Sequence, residues 1–283
     1  MAASFIDIHP HIISDDIQKY PHAPMFGVQS KWSSHRPVGI EGLIEAMDAN
    51  GVQKAAIVQA STCYGYDNSY LCDSIARFPG RFTAVGAIDL AAPDAPAVIR
   101  GWVKRGIRGV RLFTGGSTKE FDNSTLDTRD SFPAWEVCGE LDLPICLQTV
   151  PSGHAQIASM AKRFPNVKII LDHLSRPEVD DGSPYTKAAS LFALSAFENI
   201  YLKVTPRAVK EAKKGKATTE TFFPKLVSEF GPSRLAWGSN YPSTAPMEEH
   251  LNEMKAALSV LTEAEQDAIF YKTAQSLYPA LSD

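Results

Sequence analysis

Apolar residues along the chain fall into short aliphatic blocks, separated by longer stretches in which they recur every three or four positions. The blocks cover residues 5–11, 54–59, 82–88, 107–113, 143–148, 167–171, 200–204 and 234–237. Each is too short for a buried helix and rich in aliphatic or β-branched side chains, so each reads as a strand. Between them the spacing is helical. Leu43, Ile44 and Met47 share one face ahead of Gly51, and similar stretches run over 97–105, 132–141, 154–164, 185–197 and 222–230, with two more after the last strand. Breakers in Arg77-Phe-Pro-Gly80, Arg163-Phe-Pro-Asn166 and Glu229-Phe-Gly-Pro232 stop helices just before strands. Strict alternation of this kind demands a parallel sheet with right-handed crossovers. Eight units in 283 residues predict an α/β chain folded as one (β/α)8 TIM barrel, a single domain over residues 1–283. An open dinucleotide-binding sheet is disfavoured, because no Gly-x-Gly-x-x-Gly follows the first strand.

One connection breaks the rhythm. Residues 12–38 form a long polar loop with Pro21, Pro24, Gly27 and Pro37 and the aromatics Tyr20, Phe26 and Trp32. Loops of this length are uncommon unless they act as lids or binding walls, so this one is expected over the mouth of the barrel. Composition narrows the class further: 44% hydrophobic and 21% charged residues with a net charge of −4 suit a globular enzyme and give no basic surface for nucleic acid or membrane. No apolar run reaches the length of a membrane span. Cys63, Cys72, Cys138 and Cys146 have no C-x-x-C spacing, and Met-Ala-Ala-Ser runs into the first strand without a signal-like segment. A cytoplasmic location is the expectation, with homo-oligomerisation left open.

The chemistry is expected at the C-terminal ends of the strands. In an extended first strand Phe5, Asp7, His9 and His11 would share one side, with Ile6, Ile8 and Pro10 on the other. His9 and His11 could then bind one metal ion or grip one substrate group. The remaining ends carry Gln59, Asp89, Arg111, Gln148, His173, Lys203 and Asn240. His173 would share a candidate inward row with Ile169 and Leu171, while Asp172 would point towards the helices. Together His9, His11 and His173 offer three corners of a zinc-type site with a position left for water. Arg111, Arg176, Lys203 and Arg207 stand at or just past strand ends in an acidic chain, which suggests a small anionic substrate. The alternative is that they pair with Asp89, Asp172 or Asp180. The basic run 210–216 reads as a solvated face or a lid. Trp32, Tyr64, Tyr66 and Tyr241 are candidate wall residues.

Ile6-Asp7-Ile8-His9-Pro10-His11, Asp172-His173-Leu174-Ser175-Arg176-Pro177 and Trp237-Gly238-Ser239-Asn240-Tyr241-Pro242, in this order on alternating strands and helices, resemble the amidohydrolase superfamily. The branch they resemble includes 2-pyrone-4,6-dicarboxylate hydrolase and fuconolactonase-type sugar lactonases. The resemblance implies that His9, His11 and His173 bind a divalent metal, zinc first, or polarise the substrate carbonyl without one. It implies that Arg176, and more loosely Arg111, hold a substrate carboxylate; Gln59, Gln148, Lys203 and Arg207, by their position at or past strand ends, and Tyr241, as a wall residue, are further candidates for the substrate site. Two positions depart from it. Asn240 stands where relatives carry an Asp, and Asn cannot act as a general base. Gln148 stands where two-metal relatives carry a lysine or histidine, so one metal or none is expected.

The expected activity is hydrolysis of a lactone or similar cyclic ester bearing a carboxylate, with Asn240 orienting the water. The alternatives are non-oxidative decarboxylation or lactone isomerisation on the same barrel, and a barrel that only binds a metabolite.

Overall fold

The computed structural model describes residues 5–282, so the leading Met-Ala-Ala-Ser lies outside the described residues. Eight strands form one parallel sheet in sequential order. They are β1 (Phe5–Asp7), β2 (Val52–Val58), β3 (Phe82–Ala87), β4 (Ile107–Phe113), β5 (Ile145–Gln148), β6 (Ile169–Leu171), β7 (Ile200–Val204) and β8 (Leu235–Trp237). Helical segments connect every pair, as the alternation of periods requires, and the arrangement is a (β/α)8 barrel.

The ends of the sheet meet through particular bonds. Ile8 N donates to Trp237 O at 3.2 Å and His11 N to Tyr241 O at 2.8 Å. Asp7 accepts from the backbone N–H of Ser239 at 2.8 Å, from its hydroxyl, and from His9 N at 2.9 Å. Outside this seam Phe5, Trp237 and Phe270 stack edge to face, with centroids 5.2–6.3 Å apart. Phe270 sits in the π-helical turn Ala268–Lys272.

Two apolar layers follow from strand alternation. Ile57, Val110, Ile145, Leu147, Ile169, Leu171, Leu202 and Trp237 belong to the layer between sheet and helices. Ile6, Ile8, Val58, Val85, Cys146, Ile170 and Ala236 fill the barrel interior with Tyr278, Leu277 and Leu281 from the C-terminal segment. Tyr278 is fully buried there, its hydroxyl 3.5 Å from Cys146 Sγ.

This layering corrects the inward row expected on β6. Ile169 and Leu171 face the helices and Ile170 faces inward, so Asp172 continues the inward row. The first strand is also shorter than expected. Its ladder ends at Asp7, with Phe5 in the outer layer and Ile6 and Ile8 in the inner one. His9 and His11 therefore lie beyond regular strand geometry. The expected helix over 185–197 is broken into short turns around Ala189–Ala193.

Replacing Tyr278 by Ala would empty the base of the barrel. We expect a loss of about 3–5 kcal/mol in urea unfolding, with the pocket at the opposite end retaining its ligand affinity at low denaturant.

Candidate active site

A cavity of about 860 Å³ opens at the C-terminal ends of the strands. Its floor is formed by His9, His11, Arg111, Gln148 and His173. All five are buried, because each leaves a strand end towards the barrel axis. The His9 ring lies 4.9 Å from that of His11 and 4.8 Å from that of His173, centroid to centroid. Residues leaving β1 and β6, strands that are not neighbours in the sheet, thus bring three imidazoles together across the barrel mouth.

Their hydrogen bonds set which nitrogen is free. His11 Nδ1 lies 2.8 Å from Val58 O, a carbonyl that can only accept, so this nitrogen carries the proton and Nε2 keeps its lone pair. His173 Nδ1 contacts Thr205 Oγ1 at 2.9 Å. Among the described residues neither ring nitrogen of His9 has a hydrogen-bond partner, and its Nδ1 faces Asp172 Oδ1 at 3.6 Å. All three rings are held uncharged. Burial lowers His9 and His173 well below the ordinary imidazole value, with the Lys203 ammonium adding to the effect at His9. Burial and the Arg111 guanidinium bring His11 down to about 3.

Beneath the imidazoles lies an ionic cluster. Asp172 Oδ1 is 2.8 Å from Lys203 Nζ, and Oδ2 accepts from Arg111 Nε at 3.0 Å, all of them buried. Burial alone would raise the Asp172 carboxyl, but the two cations hold it well below the usual carboxylate range. Arg111 also donates to Gln148 Oε1, whose Nε2 donates to Gly115 O at 3.0 Å. Lys203 and Arg111 are therefore spent on an internal carboxylate, the outcome named above as the alternative to anion binding. Lys203 lies under the floor and does not line the cavity.

Arg176 differs. It lines the cavity, stacks on Phe121 at 4.7 Å, and its buried Nε has no hydrogen-bond partner among the described residues. Desolvation, with Arg207 next, lowers it to about 10, and it still carries its charge at neutral pH. Arg207 contributes to the same wall and has only a 3.7 Å contact with Glu211. Asp180 is engaged by Lys187 instead, and Asp89 is exposed at the surface, where it caps its own turn.

Three loops build the walls. From the long first loop, Val28 to Trp32 face the cavity, and Trp32 lies 5.1 Å from the His11 ring. The basic segment after β7 contains a short helix, Pro206–Glu211, and presents Arg207, Lys210 and Lys214. The third wall, Gly116 to Thr118 after β4, was not singled out in the sequence. Its signal was the Gly115-Gly116 pair in a long polar stretch, and a Cβ at Gly116 would come within 2.9 Å of Gln148 Nε2. Ser61, Thr62, Ser243 and Thr244 also line the cavity and carry no pattern legible beforehand.

Asn240 reaches the cavity, with its amide donating to Ser243 Oγ at 2.5 Å. Gln59 does not, because its amide is turned onto Asp67 O. Tyr241 packs against the outer apolar layer. Tyr64 is buried, accepting from Ser14 N at 2.8 Å, and Tyr66 is half exposed.

Three uncharged imidazoles, two of them tied through Nδ1 and the third with its Nδ1 facing Asp172, are a donor set that a single divalent ion takes in an open site, and the residues fit one ion in that respect. A two-ion centre they do not fit. The one carboxylate beside them is held by Lys203 and Arg111, and Gln148 and Asn240 supply no charge. Among the described residues no three His, Cys, Asp or Glu groups already stand arranged around one point, so the rings must draw closer to share an ion.

A parallel barrel with a histidine pair leaving its first strand and a third histidine after its sixth defines a class of barrel built around an imidazole centre. The chain belongs to the amidohydrolase family, whose model it matches over residues 6–280. L-fucono-1,5-lactonase of Burkholderia ambifaria is 26% identical over 210 residues, covering 74% of this chain and 71% of that protein. The fold is shared with a structure from Pseudomonas putida assigned as a 2-pyrone-4,6-dicarboxylic acid hydrolase, with a TM-score of 0.78, 21% identity and full coverage of both chains. It is shared also with a zinc-containing amidohydrolase of Burkholderia multivorans, with a TM-score of 0.77, 20% identity and coverage of 98% and 99%. No helix among the described residues is long and apolar enough to cross a membrane.

The lowered imidazoles make folding sensitive to acid. An unfolded histidine takes up its proton near 6.5, whereas His9, His11, His173 and His154, the last at about 4, remain uncharged in the fold well below that. Stability is therefore complete above pH 6.5 and is lost as the pH falls towards the lowered values, by about 2 kcal/mol per deeply shifted ring at pH 5. Asp7, raised to about 6 by burial, opposes this as one carboxyl against four rings. Urea midpoints should drop steeply from pH 7 to 5, and a flat profile would show that these rings are not held neutral.

Proposed function

We propose that the protein opens a lactone, or a similar cyclic ester, of a small molecule bearing a carboxylate. The observation that carries this reading is the pairing, across one cavity, of three uncharged imidazoles with the unpaired guanidinium of Arg176. The lactonase and lactone-hydrolase relatives support the ester class, and the surplus of positive charge on the wall supports the carboxylate. The working unit is one domain over residues 1–283, with residues 12–38 forming part of the mouth. The four buried free thiols support a reducing, cytoplasmic setting.

In this reading Arg176, with Arg207 behind it, binds the carboxylate and fixes the ring in the cavity. The ester carbonyl then faces His9, His11 and His173. These residues would hold one divalent ion, zinc first, and when bound such an ion polarises a carbonyl and eases deprotonation of water. Asn240 orients the attacking water by hydrogen bonding but takes no proton from it. The Asp172 cluster fixes the floor: Arg111 carries Gln148, and Asp172 faces His9. Gln59 and Tyr241, turned elsewhere, are not part of the proposed substrate site, and Lys203 acts on it only through Asp172.

Decarboxylation is the second reading, and Asn240 favours it, since release of CO2 needs no base to activate water. A panel of carboxylate-bearing lactones and aromatic acids, followed by product analysis, separates the two: an opened hydroxy acid supports the first reading and released CO2 the second.

With a lactone substrate in hand, His173→Ala should lower kcat/KM by about 10³-fold, in the range of a lost transition-state contact. Arg176→Ala should act mainly on KM, by about 10- to 100-fold. Full turnover by the His173 variant would sink the assignment. Elemental analysis of protein purified without metal resin should find about one zinc per chain, removed by chelator together with activity. Activity that persists at zero metal would assign carbonyl polarisation to the site's own residues.

A further inference from the structure

The residues after β6 adopt an unusual backbone. His173, Leu174, Ser175 and Arg176, none of them glycine, all have φ between 51° and 57°. This single left-handed turn sends its four side chains in three directions. His173 and Arg176 reach the cavity, Leu174 enters the apolar layer beneath the helices, and Ser175 is fully buried. One turn thus carries both the imidazole that faces the ester and the guanidinium that faces the carboxylate, and their separation depends on its shape.

Ser175 is gripped from the neighbouring unit. Its Oγ lies 2.5 Å from Nε2 of His154, which opens the helix His154–Arg163, and 2.7 Å from Leu174 O. The carbonyl can only accept, so the Ser175 hydroxyl donates to it. His154 must then donate from Nε2 to Ser175 Oγ, and its Nδ1, 2.9 Å from Ser190 Oγ, accepts the Ser190 proton. The imidazole is buried and does not line the cavity.

We propose that His154 is a positioning residue, which through Ser175 holds the 173–176 turn left-handed and so sets His173 and Arg176 relative to each other. Its effect on turnover rests on the lactonase reading above, whereas its effect on the backbone does not.

The test uses the full chain with His154→Phe, which keeps the bulk of the ring without its N–H, and His154→Gln, which restores a donor at the same reach. Ser175→Ala removes the acceptor and serves if the Phe variant fails to fold. Amide hydrogen exchange is followed over residues 172–176. Exchange about tenfold or more faster in H154F and S175A, near wild-type in H154Q, and unchanged over β2 to β4 is the expected result. Turnover of a carboxylate-bearing lactone should fall by up to about 10²-fold in H154F and recover in H154Q.

Unchanged exchange in both H154F and S175A would overturn the proposal, as would loosening that H154Q does not reverse, since ring bulk rather than the hydrogen bond would then hold the turn. If wild-type protein opens no lactone while the exchange pattern holds, the functional reading fails and the positioning role stands. Altered exchange with wild-type kcat and KM would remove the role in turnover.

Discussion

One carboxylate ties the centre of this barrel together. Asp172, at the end of β6, binds Lys203 of β7 and Arg111 of β4, and faces His9 beyond β1. Burying three charges is costly, and the cost is recovered only when each keeps its partner, so the cluster allows little freedom to its members. Its consequences spread upwards. The two cations help keep the imidazoles uncharged, Arg111 is held by Asp172 and Gln148, and Arg176 and Arg207 are left facing the cavity from the wall. The division between a neutral floor and a cationic wall follows from where Asp172 spends its charge.

The architecture was legible because its signals are local. Aliphatic blocks of strand length alternating with helical spacing leave few topologies, and β4 and β7 fall where their sequences place them. The histidine pair, His173 and Arg176 were legible as residue types at strand ends. The direction of Asp172 was not, since the inward row on β6 had been assigned to the parity of Ile169 and Leu171. At this strand end parity does not decide alone: Asp172 continues the inward row, and the left-handed turn then delivers His173 to the same cavity. Neighbours in sequence can both point inward only when the backbone leaves strand geometry, and no propensity marks four non-glycine residues for that conformation. Gln59 and Tyr241 were misplaced for a similar reason, because the Gln59 amide takes a nearby loop carbonyl and the Tyr241 ring packs on the outer apolar layer.

Of the eight left-handed non-glycine residues among the described residues, five fall in the turn after β6 and at Asn240, while Phe26, Asp142 and Tyr185 lie elsewhere. Each left-handed non-glycine residue costs about 1–2 kcal/mol, and besides the turn after β6 the described residues include Asn240 after β8 with φ of 57°. Such conformations persist only where surrounding bonds over-determine them. Ser239, immediately before Asn240, is bound by Asp7 across the seam, and Ser175 is bound by His154, so both of these segments have a buried tether. The apolar stacking of Phe5, Trp237 and Phe270 supports the seam from outside.

The floor of the cavity comes from strand ends, while much of its wall comes from loops after β1, β4 and β7 that carry none of the buried ionic cluster, Arg176 on the turn that follows Asp172 being the exception. Apart from that turn, which carries both His173 and Arg176, the floor and the wall are housed in separate parts of the chain. Changes at Val28, Ser117 or Lys210 can redraw which ring fits without disturbing the charges that keep the barrel folded. The molecule is in that sense a stable chassis with exchangeable fittings, able to drift between substrates over evolutionary time at little thermodynamic risk.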